Sequence, residues 1–587
     1  MREGRIVELD GFTVDFGGRL LLRDGRPVSL TPKAFDTLAA LLERPGEVLG
    51  KEELLARVWP GAFVEEAILT QNIYTLRKAL QEAGGTRTYI ETIPRRGYRF
   101  AGPVVERRGA PPPQREARVS SLAVLPFEPL AANADDAYLG LGLADSLIGR
   151  LANLRRITVR PTSAVRRYLG VERDPAEVGR LLQVDAVLDG TIRRSGDSLR
   201  ISVQLVSVRD DASWWATHFD ARTTDLFALE DKISQKLADE LQLRLSHQER
   251  DRLTRSATRN PEAYDAYLRG RYFWNRRTFE GLSKGIELFH RAIELDPGLA
   301  PAYAGLADCR VLLPFYGAVP PRDAFPQAIT AAERALALDD SLAEAHTSLA
   351  YARFIYERSW EEAERAFQRA LELAPGYATA HQWYAFLHSA LGRHEAAILQ
   401  ARKALELDPL SLVINSDLGM VLCFARDAAA LEQFRRTLEL DPSFAYARFG
   451  LGLSLQQQGR MDDAVGELGL AAAMAPDSPV MQAALGQALA WAGRTEEARQ
   501  ILARLEERST REPVEASLVA FLWTALGERD RAIDCLEEAC DQGARFVAFL
   551  TVWSIYDPLR DHPRWPALLQ RAGLVSLAAA PVTLECQ

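Results

Sequence analysis

The chain has 587 residues, more than a single hydrophobic core holds, so it predicts several domains or fewer domains with a repeat array. Apolar residues make up 47% and charged residues 26%, which excludes disorder, collagen and coiled coil as the main state. The net charge of −9, taken over the whole chain, argues against a nucleic-acid binder, yet it is unevenly distributed. Residues 1–119 carry 19 Lys and Arg against 16 Asp and Glu, whereas residues 256–587 carry 33 against 44.

The N-terminal residues alternate between apolar and polar side chains in short runs that predict strands. These runs cover 6–9, 12–15, 20–23 and 28–30, with glycine-containing turns between them. Thr31 then suits a helix N-cap, and Pro32 suits the first helical position. Two helices follow, over 32–43 and 51–59, and their apolar side chains are predicted to be buried. These side chains are Phe35, Leu38, Leu41 and Leu42 in the first helix and Leu54, Leu55 and Val58 in the second.

A third helix is predicted over 65–81, because apolar residues recur there at spacings of 4, 3 and 4 on one buried stripe. The stripe consists of Leu69, Ile73, Leu76 and Leu80. The other face carries hydrogen-bonding side chains of a length suited to base edges and phosphates. These side chains belong to Thr70, Gln71, Asn72, Tyr74, Thr75 and Lys78. A hairpin with strands at 89–93 and 98–100 follows, and Arg95 and Arg96 lie at its tip.

Three segments carry a family resemblance: TPKAFDTLAALLERPGEVLGKEELLARVWP, TQNIYTLRKALQ and YIETIPRRGYRF. In this order they resemble the winged-helix effector domain of the OmpR/PhoB class, over almost all of 1–104. The resemblance implies that the third helix enters the major groove and that the wing reaches the adjacent backbone or minor groove. The positions that match family contacts are Thr70, Asn72, Tyr74, Thr75, Arg77 and Lys78, and Gln71, Arg95, Arg96 and Tyr98 complete the candidate set.

Two positions depart from the family pattern. Thr75 stands where well-known members have a base-reading arginine, so the base that is read stays open. Pro94 replaces a cationic residue of the wing, and Arg95 and Arg96 are candidates for its role. If Arg77, Lys78 and these two arginines each neutralise one phosphate, affinity falls with salt with a slope of roughly −3.6. So few contacts favour tandem or dimeric occupancy of paired half-sites, and therefore a homo-oligomer on DNA.

Family members often carry a phosphoacceptor receiver domain before this module. Here the winged helix begins at Met1, so we expect no receiver upstream and an input from the segments that follow. The arrangement is similar to that of CadC-type regulators, which lack receivers. Those have a membrane span after the DNA-binding domain, whereas this chain has a Pro-rich linker, predicted over 105–120.

The middle region, predicted as a domain over 121–255, reads as α/β. Strands are expected at 122–127, 157–159, 187–194 and 198–206, and helices at 137–154, 175–182 and 223–245. The segments AVLPF, GLADSLIGRL, VDAVLDGTIRRSGDSLRISVQLV and LFALEDKISQKLADEL resemble the TolB-like domain. Scattered carboxylates such as Asp145, Asp185 and Asp189 are read as surface groups and not as a metal site. Trp214 and Trp215 are expected to pack in the core or in an interface.

The C-terminal half repeats itself. Segments such as ELDPG, ELAPG and ELDPL recur, and their fourth positions are Pro297, Asp340, Pro375, Pro409, Pro442 and Pro476, at intervals of 43, 35, 34, 33 and 34. A period near 34 indicates a helix–turn–helix solenoid, and the pattern resembles the tetratricopeptide repeat. About eight units are predicted over 256–543, with a capping segment and tail at 544–587 that closes the last apolar face.

Together these patterns predict a multidomain protein: a winged helix-turn-helix (α+β), an α/β TolB-like domain and an all-α tetratricopeptide solenoid. The main hypothesis is a sequence-specific DNA-binding transcriptional regulator whose solenoid and middle domain serve sensing, protein interaction or oligomerisation. The alternative is a DNA-tethered scaffold without a regulatory switch. The expected partners are double-stranded DNA and a protein or peptide that binds in the solenoid groove. Alternatively, the groove serves packing within the chain or between identical chains.

No enzyme signature is found, so we expect no catalytic residues, no metal and no cofactor. The five cysteines, at 309, 423, 535, 540 and 586, form no CxxC pair and are expected to pack as reduced thiols. No signal peptide is present, and the uncharged stretch 478–493, which contains Gln482 and Gln487, is only 16 residues long and too polar to span a bilayer. These features favour a cytoplasmic protein with no membrane association.

Overall fold

A computed structural model describes residues 6–9, 11–15, 20–23, 26–28, 30, 32–59, 66–82, 88–94, 96–107, 119–130, 137–152, 154, 157–171, 173–222, 225–241, 258, 260–316 and 319–574. The chain divides into two compact units, Met1–Arg118 and Val119–Gln587. Each unit has hydrophobic clusters of its own.

The first unit has the order strands, three helices and a hairpin. Its elements are β1 (Ile6–Leu9), β2 (Phe12–Asp15), β3 (Leu20–Arg23), β4 (Arg26–Pro27), α1 (Pro32–Glu43), β5 (Val48–Leu49), α2 (Lys51–Val58), α3 (Glu66–Glu82), β6 (Ile90–Ile93), β7 (Gly97–Phe100) and β8 (Val105–Arg107). The strands form two antiparallel sheets, in the orders β4-β3-β2-β1-β8 and β5-β7-β6. This is the winged helix-turn-helix fold that the sequence predicts.

The buried stripes of this unit are confirmed. On α3 the four predicted apolar residues are at most 2% exposed, and on α1 the predicted apolar residues are at most 4% exposed. In α2, Leu54 and Val58 are buried, whereas Leu55 is only partly buried. Burial of one stripe per helix against the sheet fixes which face of α3 remains available to solvent.

Three strands differ from the sequence-based prediction. The fourth strand lies at Arg26–Pro27 and not at 28–30, although the Val28 amide still donates to the Leu21 carbonyl at 2.8 Å. The sequence pattern does not predict β5 and β8, because two or three residues are too few to show the alternation of a strand. β8 pairs with β1, although its residues lie in the stretch 105–120 that the sequence predicts as a linker.

The second unit begins with a mixed sheet. Its elements are β9 (Ser121–Val124), β10 (Glu128–Pro129), α4 (Ala137–Ala152), β11 (Thr158–Val159), α5 (Thr162–Val165), α6 (Pro175–Leu181), β12 (Ala186–Ser195), β13 (Ser198–Ser207), β14 (Ala212–Arg222) and α7 (Leu226–Glu240). The strand order is β11-β9-β12-β13-β14, with β10 also paired to β12. β9 is parallel to β11 and β12, whereas β12, β13 and β14 are antiparallel.

β14 is the main element of this region that the sequence does not predict. It is the terminal strand of the sheet, and none of its residues is fully buried. Trp214 is 41% exposed, so its predicted packing in the core is wrong, because on β14 it points away from the apolar cluster. Trp215 on the opposite face packs partly against that cluster. An interface role for Trp214 stays a prediction.

The carboxylates of the middle region have protein partners, and the prediction that Asp145 is a surface group is wrong: it is 8% exposed and accepts a hydrogen bond from the Arg271 guanidinium at 2.7 Å. Asp185 accepts hydrogen bonds from Ser120 and Ser121, and Asp189 accepts from Arg173 and Gln204. Within the described part of the chain, no group of three or more His, Cys, Asp and Glu has a geometry that holds a metal ion.

Eight helix pairs follow in the described residues of 261–542. The pairs are α8/α9 (Pro261–Trp274, Phe279–Leu295), α10/α11 (Ala300–Leu312, Pro321–Leu338), α12/α13 (Ala343–Ala352, Trp360–Leu373), α14/α15 (Ala378–Ala390, His394–Leu407), α16/α17 (Leu412–Phe424, Ala429–Leu440), α18/α19 (Ala445–Gln457, Met461–Met474), α20/α21 (Pro479–Trp491, Thr495–Ser509) and α22/α23 (Ala516–Ala525, Arg529–Gln542). The tetratricopeptide solenoid predicted from the 34-residue period is confirmed.

Glycines end the first helix of several pairs, as the repeat pattern indicates. Gly459 and Gly493 have φ angles of +75° and +79°, a left-handed conformation that favours glycine at the end of a helix. The backbone can then reverse within a few residues and start the second helix. These turns set the antiparallel packing of each pair.

The segment after the last pair does more than cap it. It contains the 3-10 helices Arg545–Phe549 and Ser554–Leu559 and the helix α24 (Trp565–Arg571), which pack on α22 and α23. It also reaches back to the third, fifth and sixth pairs: the Trp360 indole donates to the Gly573 carbonyl at 2.8 Å, the Arg426 guanidinium to the Asp557 carboxylate at 2.7 Å, and the Gln457 amide to the Ser554 hydroxyl at 3.0 Å. The prediction of a simple end cap is therefore incomplete, because the segment also contacts helix pairs in the middle of the array.

The middle region and the solenoid share a core. Tyr264 and Leu268 of α8 belong to the apolar cluster that covers the mixed sheet. Polar contacts join the fourth helix pair as well: Arg160 donates to the Glu406 and Leu407 carbonyls, and Arg167 donates to the Leu410 carbonyl at 3.0 Å. The two segments are therefore packed together within one unit.

The cysteine and membrane expectations concern the whole chain. Cys309, Cys423, Cys535 and Cys540 are free thiols, and burial raises the pKa of Cys423 to about 12. Cys586 lies outside the described residues. Among the described helices, none combines the length and apolar character needed to cross a membrane.

Candidate nucleic-acid interface

The exposed face of α3 is polar and narrow. Thr70, Gln71, Tyr74 and Lys78 are exposed there, and Thr75 is half-exposed between them. Tyr74 shows 61% of its surface, an unusual exposure for an aromatic side chain. Because these residues lie at spacings of 1, 3 and 4, they share the side of α3 opposite the buried stripe. The helix thus presents hydroxyl, amide, phenol and ammonium groups on one surface.

The Thr75 hydroxyl forms a hydrogen bond within its own helix. It donates to the Gln71 carbonyl at 3.0 Å, which leaves the oxygen lone pairs as acceptors. A threonine in this state can accept a hydrogen bond from a base and offer its methyl group to thymine. It cannot supply the bidentate donor pair of an arginine.

Asn72 does not lie on the exposed face. It is 9% exposed, and its amide donates to the Lys33 carbonyl at 2.8 Å and to the Thr37 hydroxyl at 2.9 Å. Both acceptors belong to α1, so Asn72 fixes α3 against α1. The sequence carried a signal for this position: three residues after Leu69 and four before Leu76 is a place on the buried stripe.

Arg77 is held by the wing. Its guanidinium donates to the Ile90 carbonyl at 3.0 and 2.8 Å and to the Thr92 hydroxyl at 2.8 Å. These bonds link the C-terminal half of α3 to β6 and fix the angle between the helix and the hairpin. A phosphate contact by Arg77, as predicted, would therefore compete with the hydrogen bonds that this side chain makes to β6.

The wing is the hairpin of β6 and β7. Its register pairs Ile93 with Gly97, and the Arg96 amide donates to the Ile93 carbonyl at 3.0 Å. Gly97 has a φ of +139°, and a Cβ at this position would lie 1.9 Å from the Leu49 carbonyl oxygen. Only glycine fits between the wing and β5, so this contact fixes the hairpin on the body of the domain.

The wing carries three of the candidate DNA-binding residues, Arg95, Arg96 and Tyr98. Arg96 is exposed at the tip, whereas Arg95 lies outside the described residues. Tyr98 is only 4% exposed and sits opposite Leu49 and Thr92 in the sheet. The predicted candidates thus separate into an exposed group on α3 and the wing and a buried group, Asn72 and Tyr98, that supports it.

Family models match three segments of the chain. Residues 25–100 match "Transcriptional regulatory protein, C terminal", and residues 117–238 match "HilA/YgeH-like transcriptional regulator, second domain". Two tetratricopeptide repeat models match 353–411 with 428–479, and 455–520. The expected TolB-like character of the middle region is not confirmed, since the model that matches it is the HilA/YgeH-like one.

Several curated proteins are similar to the chain. The transcriptional regulator HilA of Salmonella typhimurium is 27% identical over 402 residues, 68% of this chain and 70% of HilA. A putative adenylate cyclase 3 of Rhizobium meliloti is 31% identical over 259 residues, and the aligned part spans 44% of this chain and 43% of that protein. The transcriptional activator CadC of Escherichia coli is 37% identical over 105 residues, 16% of this chain and 20% of CadC.

The family match at 25–100 coincides with the strands, helices and wing of the first unit. The repeat matches coincide with helix pairs of the second unit. HilA and CadC are named as transcriptional regulators, and they share the N-terminal module or most of the length with this chain. The chain therefore carries a winged-helix domain of the OmpR/PhoB class and a tetratricopeptide solenoid, and it is homologous to DNA-binding transcriptional regulators.

Proposed function

We propose that this protein is a sequence-specific DNA-binding transcriptional regulator that works in the cytoplasm. The observation that carries the proposal is the exposed polar face of α3, set beside a wing that Gly97 and Arg77 hold in place. In this proposal α3 enters the major groove, where Thr70, Gln71, Tyr74 and Thr75 meet base edges. Lys78, Arg95 and Arg96 meet phosphates of the adjacent backbone.

The second unit supplies the input in this proposal. The middle region and the solenoid act together as a sensing, protein-interaction or oligomerisation module. The names of HilA and CadC favour this role over a DNA-tethered scaffold and over an enzyme. Nothing in the geometry of the described residues calls for a catalytic site.

The hydrogen bonds of Arg77 lower the number of cations available for phosphates. With Lys78, Arg95 and Arg96 alone, the salt slope of one module is roughly −2.7. One module then binds DNA weakly at physiological salt. We therefore propose that two copies occupy paired half-sites, as the sequence already favours.

The proposal separates phosphate contacts from base contacts by mutation. The double change Lys78→Ala and Arg96→Ala is expected to weaken binding to every duplex about equally and to make the salt slope about 1.8 less steep, because two phosphate contacts disappear. Fluorescence anisotropy of a labelled duplex, repeated over a salt series, measures both effects.

Thr75→Ala is the matched comparison on the same helix. It removes a half-exposed hydroxyl and no charge, so the salt slope should stay as in the wild type while the order of preference among duplexes changes. A double variant with unaltered affinity and slope would rule out the proposed phosphate contacts. A Thr75→Ala variant with unaltered sequence preference would remove Thr75 from the base-contacting set.

A further inference from the structure

The second unit encloses a large cavity between the middle region and the inner face of the solenoid. Its volume is about 890 Å³, which is within the range of small-molecule sites. One wall comes from α4 and α5 of the middle region. The opposite wall comes from the first helix of each of the first seven pairs, and Arg545–Phe549 and Trp553 of the C-terminal segment close a further side.

Much of the solenoid wall is aromatic. Tyr351 of α12 and Trp383 of α14 lie with ring centroids 4.5 Å apart, and Tyr446 and Phe449 of α18 stack at 6.0 Å. Phe549 of the C-terminal segment stacks on a phenylalanine of α16 at 4.9 Å. Rings in such number offer both apolar area and the negative faces that attract cations.

A carboxylate lies among these rings. Asp417 of α16 lines the cavity and is 7% exposed. Its two oxygens accept hydrogen bonds from neutral donors, the Gln382 amide at 2.6 Å and the Tyr446 hydroxyl at 3.0 Å. Among the described residues, Asp417 forms no ion pair. A buried carboxylate without a cation is costly, and proteins usually pair it or neutralise it.

The groups around Asp417 do not neutralise it. Tyr446 faces it from α18 and Tyr351 from α12, and Cys423 lies on its own helix. Arg545 interacts with Tyr351, but this guanidinium is paired with Glu515 at 2.6 Å. Burial accordingly raises the pKa of Asp417 from 3.8 to about 7. Above pH 7 the cavity therefore holds an unpaired negative charge at Asp417.

We propose that this cavity binds a small organic cation, a protonated amine on an apolar or aromatic body. The ammonium group sits beside Asp417, and the apolar body packs on the ring faces of Tyr351, Trp383 and Tyr446. Only the role of the amine rests on the proposed function: in a regulator, the amine would be the effector that the second unit senses. The binding site itself stands on the cavity, the rings and the carboxylate.

The charge arrangement selects the ligand class. An anionic ligand beside Asp417 would place a second negative charge next to a carboxylate that is only 7% exposed, where repulsion is stronger than in bulk water. A neutral ligand of the same shape would leave the carboxylate unpaired. An ammonium group provides the missing counter-charge and gains from the surrounding rings.

Three probes of similar shape test the proposal on the full chain by isothermal titration calorimetry. They are 2-phenylethylamine, the neutral 2-phenylethanol and the anionic 3-phenylpropanoate. At pH 8 the amine is expected to bind about tenfold or more tightly than the alcohol, and the acid should bind weakest. Equal affinity for amine and alcohol, or absent amine binding, would overturn the proposal without any variant.

Two substitutions then locate the site. Asp417→Asn keeps the shape and removes the charge, so amine binding should weaken about tenfold or more while alcohol binding is unchanged. Trp383→Leu should weaken the amine several-fold through the loss of a ring face. Glu432→Gln, an exposed carboxylate on α17, is the matched control and should bind like the wild type.

DNA binding by the same samples separates the two proposals. If the chain binds DNA while the amine preference is missing, the ligand inference fails and the proposed function stands. If the amine binds through Asp417 but the chain fails to bind any duplex, the cavity is a binding site and the regulator proposal fails. An amine preference that persists in Asp417→Asn would contradict the site even though a ligand binds.

Discussion

Replacing Arg271 by alanine is expected to destabilise the second unit by about 3–5 kcal/mol, because it removes the cation from a buried ion cluster. The Arg271 guanidinium donates to Asp145 of α4 at 2.7 Å and lies 3.5 Å from Asp308 of α10. Asp145 is 8% and Asp308 is 3% exposed, so the variant leaves two carboxylates in the interior without their cation. The cluster also connects the middle region to the first two helix pairs, so its loss should loosen that junction.

Urea denaturation followed by circular dichroism measures this change, with Arg436→Ala as the control. Arg436 forms an exposed pair with Glu432 on α17, and its loss should cost less than about 1 kcal/mol. The penalty of Arg271→Ala should shrink as the pH falls towards about 6 and then level off, because burial raises the pKa of Asp308 to about 6 in the wild type and the loss of Arg271 raises it further, so the variant is protonated first. A loss below about 1 kcal/mol at neutral pH would mean that the cluster does not hold the two segments together.

Asp417→Asn is expected to act in the opposite direction and stabilise the second unit at pH 8. A carboxyl whose pKa is raised on folding binds its proton more tightly in the folded state. Its contribution to stability is fully present below pH 3.8 and is lost as the pH rises towards about 7. A rise from 3.8 to about 7 corresponds to at most roughly 4 kcal/mol at pH 8, and the asparagine variant avoids this penalty.

Thermal unfolding across pH measures this difference between the variant and the wild type. The gain from Asp417→Asn should be largest at pH 8 and should disappear below pH 3.8, where the wild-type carboxyl is protonated in both states. A saturating amine probe should reduce the gain, because it stabilises the wild type more than the variant. A variant that is less stable than the wild type at pH 8 would mean that Asp417 is already paired in the folded protein.

Much of the fold follows from periodic patterns in the sequence. The stripe of Leu69 and Ile73 identifies α3, the 34-residue spacing identifies the solenoid, and Gly459 and Gly493 locate turns between helices. These features repeat or extend over several turns, so the pattern exceeds chance. β5 and β14 were missed for opposite reasons: β5 has two residues, and β14 lacks a fully buried face.

The candidate interface was predicted less completely. The sequence identifies the face of α3 and the tip of the wing, but not the hydrogen bonds that take Asn72 into the interior and hold Arg77 on β6. These hydrogen bonds depend on which backbone carbonyls the fold brings close to each side chain. Lys33, for example, is 39 residues away from Asn72 in the sequence. The sequence does not predict the cavity around Asp417 for the same reason, because the cavity walls come from segments hundreds of residues apart.

The measurement that tests the central claim most directly is selection of bound duplexes from a random-sequence library by the full chain. We expect enrichment of a short motif in two copies about one helical turn apart, bound by two molecules of the protein. We also expect that Thr75→Ala selects a different motif, whereas Lys78→Ala with Arg96→Ala recovers the same motif with less material. Recovery of no motif, or of one that is unaffected by substitutions on the exposed face of α3, would contradict a sequence-reading role for this domain.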